Sequence, residues 1–243
     1  MGVSVPRSAR LDLMVIFGHR GAPGYPRRAE NTRLSFRKAL DCGATGLEFD
    51  VRRCGDGRLV VIHDETIDRT TNGRGYVRDL SYEELQHFDA GYGESIPLLA
   101  DILDEFAPRC VLNVELKDVA IATDVKRLIM ERQLAQCVIV SSFDPNELIA
   151  LTPNISIALL GSKAKGLVSK ARELGATAIH PRCNVTTRDL VATAREAGLR
   201  VHVWTVNEGR EFARLRDLGV DGIFTDMPEK FVKQGPRDLH PRP

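Results

Sequence analysis

Glu48 and Asp50 stand two residues apart in GLEFDV, flanked and separated by apolar Leu47, Phe49 and Val51. The period of two marks a strand, and in a strand residues i and i+2 share a face, so both carboxylates point the same way. That face is no ordinary core face, because two carboxylates side by side repel and are costly to desolvate. A hard divalent cation of the kind that prefers oxygen (Mg²⁺, Ca²⁺ or Mn²⁺) removes both penalties. The Gly-rich turn CGDGR and the apolar run Leu59 to Ile62 follow. They end in His63-Asp64, so a hairpin returns the histidine towards the carboxylates. Glu115 and Lys117 repeat the i, i+2 spacing in VLNVELK, and His19-Arg20 closes the first apolar run.

Several polar residues also have plainer readings. Glu115 and Lys117 can form an ion pair on a rim, and Arg20 can pair with Glu30. His202 lies two residues before Trp204, faces the same way and is expected deeper, as a packed core histidine. His180, before Pro181, reads as a lining residue. Asp226 with Glu229 reads as a capping box around Pro228. His87 and His240 read as surface residues. Trp204 serves either as core or as the wall of an apolar substrate group.

The elements that must position these residues follow in order. A short apolar strand over Leu13 to Phe17 leads through a Gly/Pro-rich loop, up to Arg28, to a helix over Leu34 to Cys42. Asn31 or Thr32 caps that helix, and Gly43 stops it. After the Gly46 hairpin, residues 65–97 break the rhythm as a small insertion with its own structure. The insertion includes a short helix capped by Ser81 and Glu84. Past Pro97, helices and short apolar strands alternate down to a last helix near Pro228. Repeated βα units of roughly 25 to 30 residues predict a parallel sheet, and about eight strands in this length predict a (β/α)₈ TIM barrel. An open doubly wound sheet is the alternative, but no G-x-G-x-x-G follows the first strand. In such a barrel the strand ends that carry His19, Arg20, Glu48, Asp50, Glu115, Lys117, His180, Trp204 and Asp226 meet at one mouth.

Bulk properties exclude other classes. With 34 basic and 33 acidic residues the net charge is +1, which leaves no nucleic-acid footprint or polybasic membrane surface. No apolar run is long enough to span a bilayer, so no stable membrane insertion is expected. The first ten residues read as a short leader rather than a signal peptide. Five cysteines without a C-x-x-C pair read as reduced thiols of a cytoplasmic protein. The 243 residues are read as one domain, with a flexible tail at about 235–243.

GHRG, ENT, GLEFDV, VIHDETIDRTTNGRG, VELK, VWTVN and DGIFTD follow in this order from about Phe17 to Pro228. Together they resemble the glycerophosphodiester phosphodiesterase family, with Phe49 where the family more often has Leu. The resemblance implies a (β/α)₈ barrel of the single-domain, cytoplasmic bacterial type. It implies hydrolysis of glycerophosphodiesters, small-molecule substrates, to glycerol 3-phosphate and an alcohol. It implies a divalent metal held by Glu48, Asp50 and Glu115, with His19 and His63 as the acid–base pair. Arg20 and Lys117 then suit the phosphate oxygens, Arg being the better bidentate partner. Trp204 becomes a wall for substrate. Either histidine can take either role, and direct attack by water and attack by the glycerol 2-hydroxyl fit equally. The competing reading is a related barrel phosphodiesterase acting on lysophospholipids, of the lysophospholipase D kind. A phosphate-binding barrel without catalysis is a further alternative.

Overall fold

The computed structural model describes residues 14–23 and 29–232. Leu13, loop residues 24–28, the leader, the tail and His240 lie outside the described residues. Eight parallel strands close into a barrel: β1 (Val15–His19), β2 (Gly46–Arg53), β4 (Val111–Leu116), β5 (Val138–Ser142), β6 (Ser156–Gly161), β7 (Ala178–Pro181), β8 (Arg200–Val203) and β9 (Gly222–Thr225). Pairing of β1 with both β9 and β2 completes the closure. β3 (Leu59–Val61) is the antiparallel exception and pairs with β2 as a hairpin. It stops at Val61, one residue short of the expected end. Helices α1 (Arg33–Asp41), α3 (Leu99–Phe106), α4 (Ala122–Glu131), α5 (Pro145–Ile149), α6 (Leu167–Glu173), α7 (Arg188–Glu196), α8 (Gly209–Leu218) and α9 (Glu229–Val232) follow or connect the strands.

Local sequence explains the helix ends. Thr32, not Asn31, caps α1 by accepting from the Ser35 N–H, a contact worth about 1 kcal/mol. α6 starts at Leu167, directly after Gly166, which takes a left-handed φ of 76°. Glycine shapes the barrel interior as well. A Cβ at Gly46 would come within 2.5 Å of the Phe17 ring, and one at Gly222 would meet His202 and Phe17. These two positions give Phe17 its space inside the barrel, where it stacks on Phe224 at 4.7 Å. Ile139, Ala158 and Ala178 complete that inner layer. The larger layer, between strands and helices, buries Phe36, Phe49 and Phe106, with the Phe36 ring against both of the others. Each such ring contributes about 1.5–3 kcal/mol of burial.

Residues 65–97 form the expected excursion. Its short helix α2 (Tyr82–Leu85) carries the Ser81/Glu84 capping box. Ile67, Val77, Leu85, Ala90 and Ile96 bury themselves with Cys54, Val60 and Ile62 as a separate small core. The insertion therefore stands on the β2–β3 hairpin as a packed unit, beside the barrel mouth.

Candidate active site

Strand register assembles the site. The β1–β2 ladder sets His19 beside Glu48, and the β2–β4 ladder sets Asp50 beside Glu115. Candidate ligand atoms of Glu48, Asp50 and Glu115 all lie within 4.8 Å of one another, and the three residues are 3%, 0% and 8% exposed. Lys117, two residues past Glu115, ion-pairs with it and approaches Asp50 Oδ1 at 3.1 Å. The expected rim pair thus exists, but it also serves Asp50. Arg20 likewise pairs with Glu30 at 2.9 Å and with Asp50 at 3.2 Å. Its φ of 56° turns its backbone N–H onto the Glu48 carboxylate at 3.0 Å.

Three carboxylates against two cations leave an anionic excess in a buried space. Burial, and then the Asp50 charge, push the Glu48 carboxyl up to about 8. Burial also raises Asp50, but Lys117 and Arg20 outweigh it and hold Asp50 at about 2. Burial and Asp50 raise Glu115 despite Lys117. Glu48 Oε1 is buried with no hydrogen-bond partner. A cluster of hard oxygen donors with an orphaned oxygen and excess negative charge fits Mg²⁺, Ca²⁺ or Mn²⁺.

Both expected histidines reach this mouth, and each carries a carboxylate on Nδ1. His19 Nδ1 donates to Asp226 Oδ1 at 2.6 Å, and His63 Nδ1 donates to Asp64 Oδ1 at 2.7 Å. An ionised carboxylate only accepts, so each Nδ1 bears the hydrogen and Nε2 is left to face the cleft. His19 Nε2 lies 3.9 Å from Glu48 Oε2. Burial pulls the His19 imidazole down, but Glu48 and the Asp226 hydrogen bond outweigh it, so the net shift is upward. At His63 burial prevails over Asp50 and Asp64, and the shift is downward.

The expected capping role of Asp226 is corrected here. Its carboxylate oxygens serve His19 and, at 2.6 Å, the Asn207 side-chain amide. Asn207 Oδ1 in turn accepts from the Asp226 N–H at 2.9 Å. Asn31, first read as a helix cap, instead donates to Asp50 Oδ2 at 2.9 Å. The partners of Asn31 carry no local signal.

His180 and His202 behave as buried lining and core residues. They touch through Nε2 and Nδ1 at 3.1 Å. Burial holds His180 well below its usual range and His202 at about 3, so both are uncharged near neutral pH. Trp204 donates from Nε1 to the His180 carbonyl at 2.7 Å and meets Phe143 edge-on at 5.6 Å. With Leu160, these two rings wall the cleft opposite the charged groups. Phe143, about half exposed, was not anticipated from sequence.

The barrel, with two histidines, two cationic side chains and a buried carboxylate cluster at one mouth, has the architecture of an enzyme site. The chain belongs to the glycerophosphoryl diester phosphodiesterase family, matched over residues 19–230. It is similar to a glycerophosphodiester phosphodiesterase of Caldanaerobacter subterraneus subsp. tengcongensis, at 35% identity over 90% of this chain and 96% of that one. A Bacillus altitudinis glycerophosphodiester phosphodiesterase is 37% identical, with the same coverage. The crystal structure of the Agrobacterium tumefaciens glycerophosphodiester phosphodiesterase superposes with a TM-score of 0.82 at 29% identity, covering 91% of this chain and all of that one. An Oleispira antarctica phosphodiesterase, solved in complex with the product sn-glycerol-3-phosphate, superposes at 0.80 with 27% identity, over 91% and 96% of the two chains.

Proposed function

We propose that the protein hydrolyses glycerophosphodiesters to glycerol 3-phosphate and an alcohol, with a divalent cation at Glu48, Asp50 and Glu115 and with His19 and His63 as the acid–base pair. The observation that carries this reading is the placement of two carboxylate-backed imidazoles beside the buried carboxylate cluster, in a chain whose relatives bear that activity. When bound, the cation supplies charge stabilisation at the reacting phosphate.

The chain's own residues do the rest. Arg20 and Lys117 hold the phosphate oxygens and offset charge that grows in the transition state. Asp226 and Asp64 fix the two imidazoles in the tautomer that aims Nε2 at the substrate. One imidazole takes the proton from the nucleophile and the other gives one to the leaving alcohol oxygen as its P–O bond breaks. Where water attacks, this yields glycerol 3-phosphate directly; where the glycerol 2-hydroxyl attacks, water then opens the cyclic phosphate with the two imidazole roles reversed. Trp204 and Phe143 exclude water from one side and border the departing alcohol.

We read the barrel and its insertion as one domain. No helix among the described residues is long and apolar enough to cross a membrane, and the five cysteines are free. We take the protein to work in the cytoplasm on water-soluble diesters. The test is a comparison of glycerophosphocholine with lysophosphatidylcholine. Release of glycerol 3-phosphate from the first, with little turnover of the second, supports the reading. Preference for the lysolipid would replace it with the lysophospholipase D alternative.

A further inference from the structure

Arg69 ties the insertion to the site. It lies in the polar turn of residues 68–74 and makes four hydrogen bonds to two carboxylates. Its Nη1 and Nη2 donate to Glu30 Oε2 at 2.9 Å and Oε1 at 2.7 Å. Its Nε and Nη2 donate to Asp64 Oδ2 at 2.6 Å and Oδ1 at 3.0 Å. Each carboxylate then passes the contact on. Glu30 Oε1 also accepts from Arg20 Nη1, and Asp64 Oδ1 also accepts from His63 Nδ1. One guanidinium thus sits behind both a phosphate-facing arginine and an acid–base histidine.

We propose that Arg69 is a positioning residue that sets His63 and Arg20 together by clamping Asp64 and Glu30. This deepens the function proposed above and rests on His63 and Arg20 meeting the substrate. The planar fork is what the geometry requires. A guanidinium has five N–H donors in fixed directions, and four are used here across two carboxylates at once. A lysine ammonium carries the same charge at a single point and cannot span both.

The backbone beneath Arg69 is held without its side chain. Ile67 is fully buried in the insertion core. Thr71 Oγ1 donates to the Ile67 carbonyl at 2.8 Å, and the Gly75 N–H donates to Asp68 Oδ1 at 3.0 Å. Gly73 leaves room for Phe88, whose ring would lie 2.3 Å from a Cβ there. The Arg69 side chain itself is 48% exposed. All four of its bonds go to the two carboxylates that in turn hold Arg20 and His63.

The test measures kcat and KM of the full chain, supplied with divalent cation, on glycerophosphocholine. The variants are Arg69→Met, Arg69→Lys, Asp64→Asn, the Arg69→Met/Asp64→Asn double variant and His63→Ala, each with its thermal midpoint. Arg69→Met is expected to lower kcat about tenfold, a common cost of removing a group that orients an active-site ligand. It is expected to raise KM as well, through Arg20, with the midpoint nearly unchanged. Arg69→Lys is expected to fall well short of wild type. In the Asp64→Asn background, removing Arg69 should lower kcat less than in wild type, because part of its route is already cut. Wild-type kcat/KM in Arg69→Met, full recovery by Lys, or strict additivity in the double variant would each overturn the proposal. His63→Ala separates the two layers. If it is inactive while Arg69→Met is normal, only the role of Arg69 fails; if it is fully active, the acid–base reading beneath fails.

Discussion

Glu48 ties metal binding to pH. In the metal-free site, burial and the Asp50 charge hold its carboxyl up to about 8, so at neutral pH the cation must displace a proton. About half of the Glu48 carboxyls are ionised at pH 8 and about one in a hundred at pH 6. The apparent association constant for Mg²⁺ or Ca²⁺ should therefore fall roughly 50-fold across that interval, about 1.4 kcal/mol per pH unit in the lower part. Glu115 is raised for the same first cause. Titration calorimetry at pH 6, 7 and 8, in two buffers of different ionisation enthalpy, reads both quantities. Close to one proton or more should be released per ion at pH 7. Glu48→Gln should bind more weakly and with a flatter pH dependence. Equal affinity at pH 6 and 8 with no proton release would refute the placement of the cation against Glu48.

Three further outcomes are expected. His19→Ala and His63→Ala should each lower kcat about 10²-fold or more, the usual weight of general acid–base catalysis, measured by glycerol 3-phosphate release. His202→Ala should instead cost stability, about 2 kcal/mol or more, because it empties a site packed against Phe17 and Phe224. A denaturant midpoint reads that loss, and turnover as low as in His63→Ala would show that His202 meets the substrate. Glycerophosphocholine, glycerophosphoethanolamine and glycerophosphoglycerol should have kcat/KM within about tenfold of one another, since the Phe143–Trp204 wall offers a stacking surface rather than a charge matched to one head group. In the same panel bis(p-nitrophenyl) phosphate, which lacks the glycerol hydroxyls, should be poor; equal activity on it would place specificity at the wrong end.

What could be read from sequence depended on the range of the interaction. Glu48 and Asp50 were legible because a strand projects alternate residues to one face, and the β2–β4 register then had only to supply Glu115. The alternation of helices and strands likewise sufficed for the barrel and for the place of its mouth. The imidazole partners were harder. Asp226 lies 207 residues from His19, and its local surroundings, with Pro228 and Glu229 following, imitate a helix start. Asn31 lies next to a true cap and takes a φ of 58° that turns it onto Asp50 instead. Arg69 sits in a turn whose composition speaks only of a loop, and its meaning depends on where the insertion core places that loop. Asp64 follows His63 directly, yet adjacency alone did not indicate that its side chain would fold back onto the ring.

The central claim is cleavage of a glycerophosphodiester that depends on a divalent cation. The most direct measurement follows glycerol 3-phosphate release from glycerophosphocholine by protein stripped with a chelator, and then by the same sample given Mg²⁺, Ca²⁺ or Mn²⁺ in excess. No product is expected after stripping, and turnover should return with at least one of these ions. Full turnover in excess chelator, or none with any of the three ions, would contradict it.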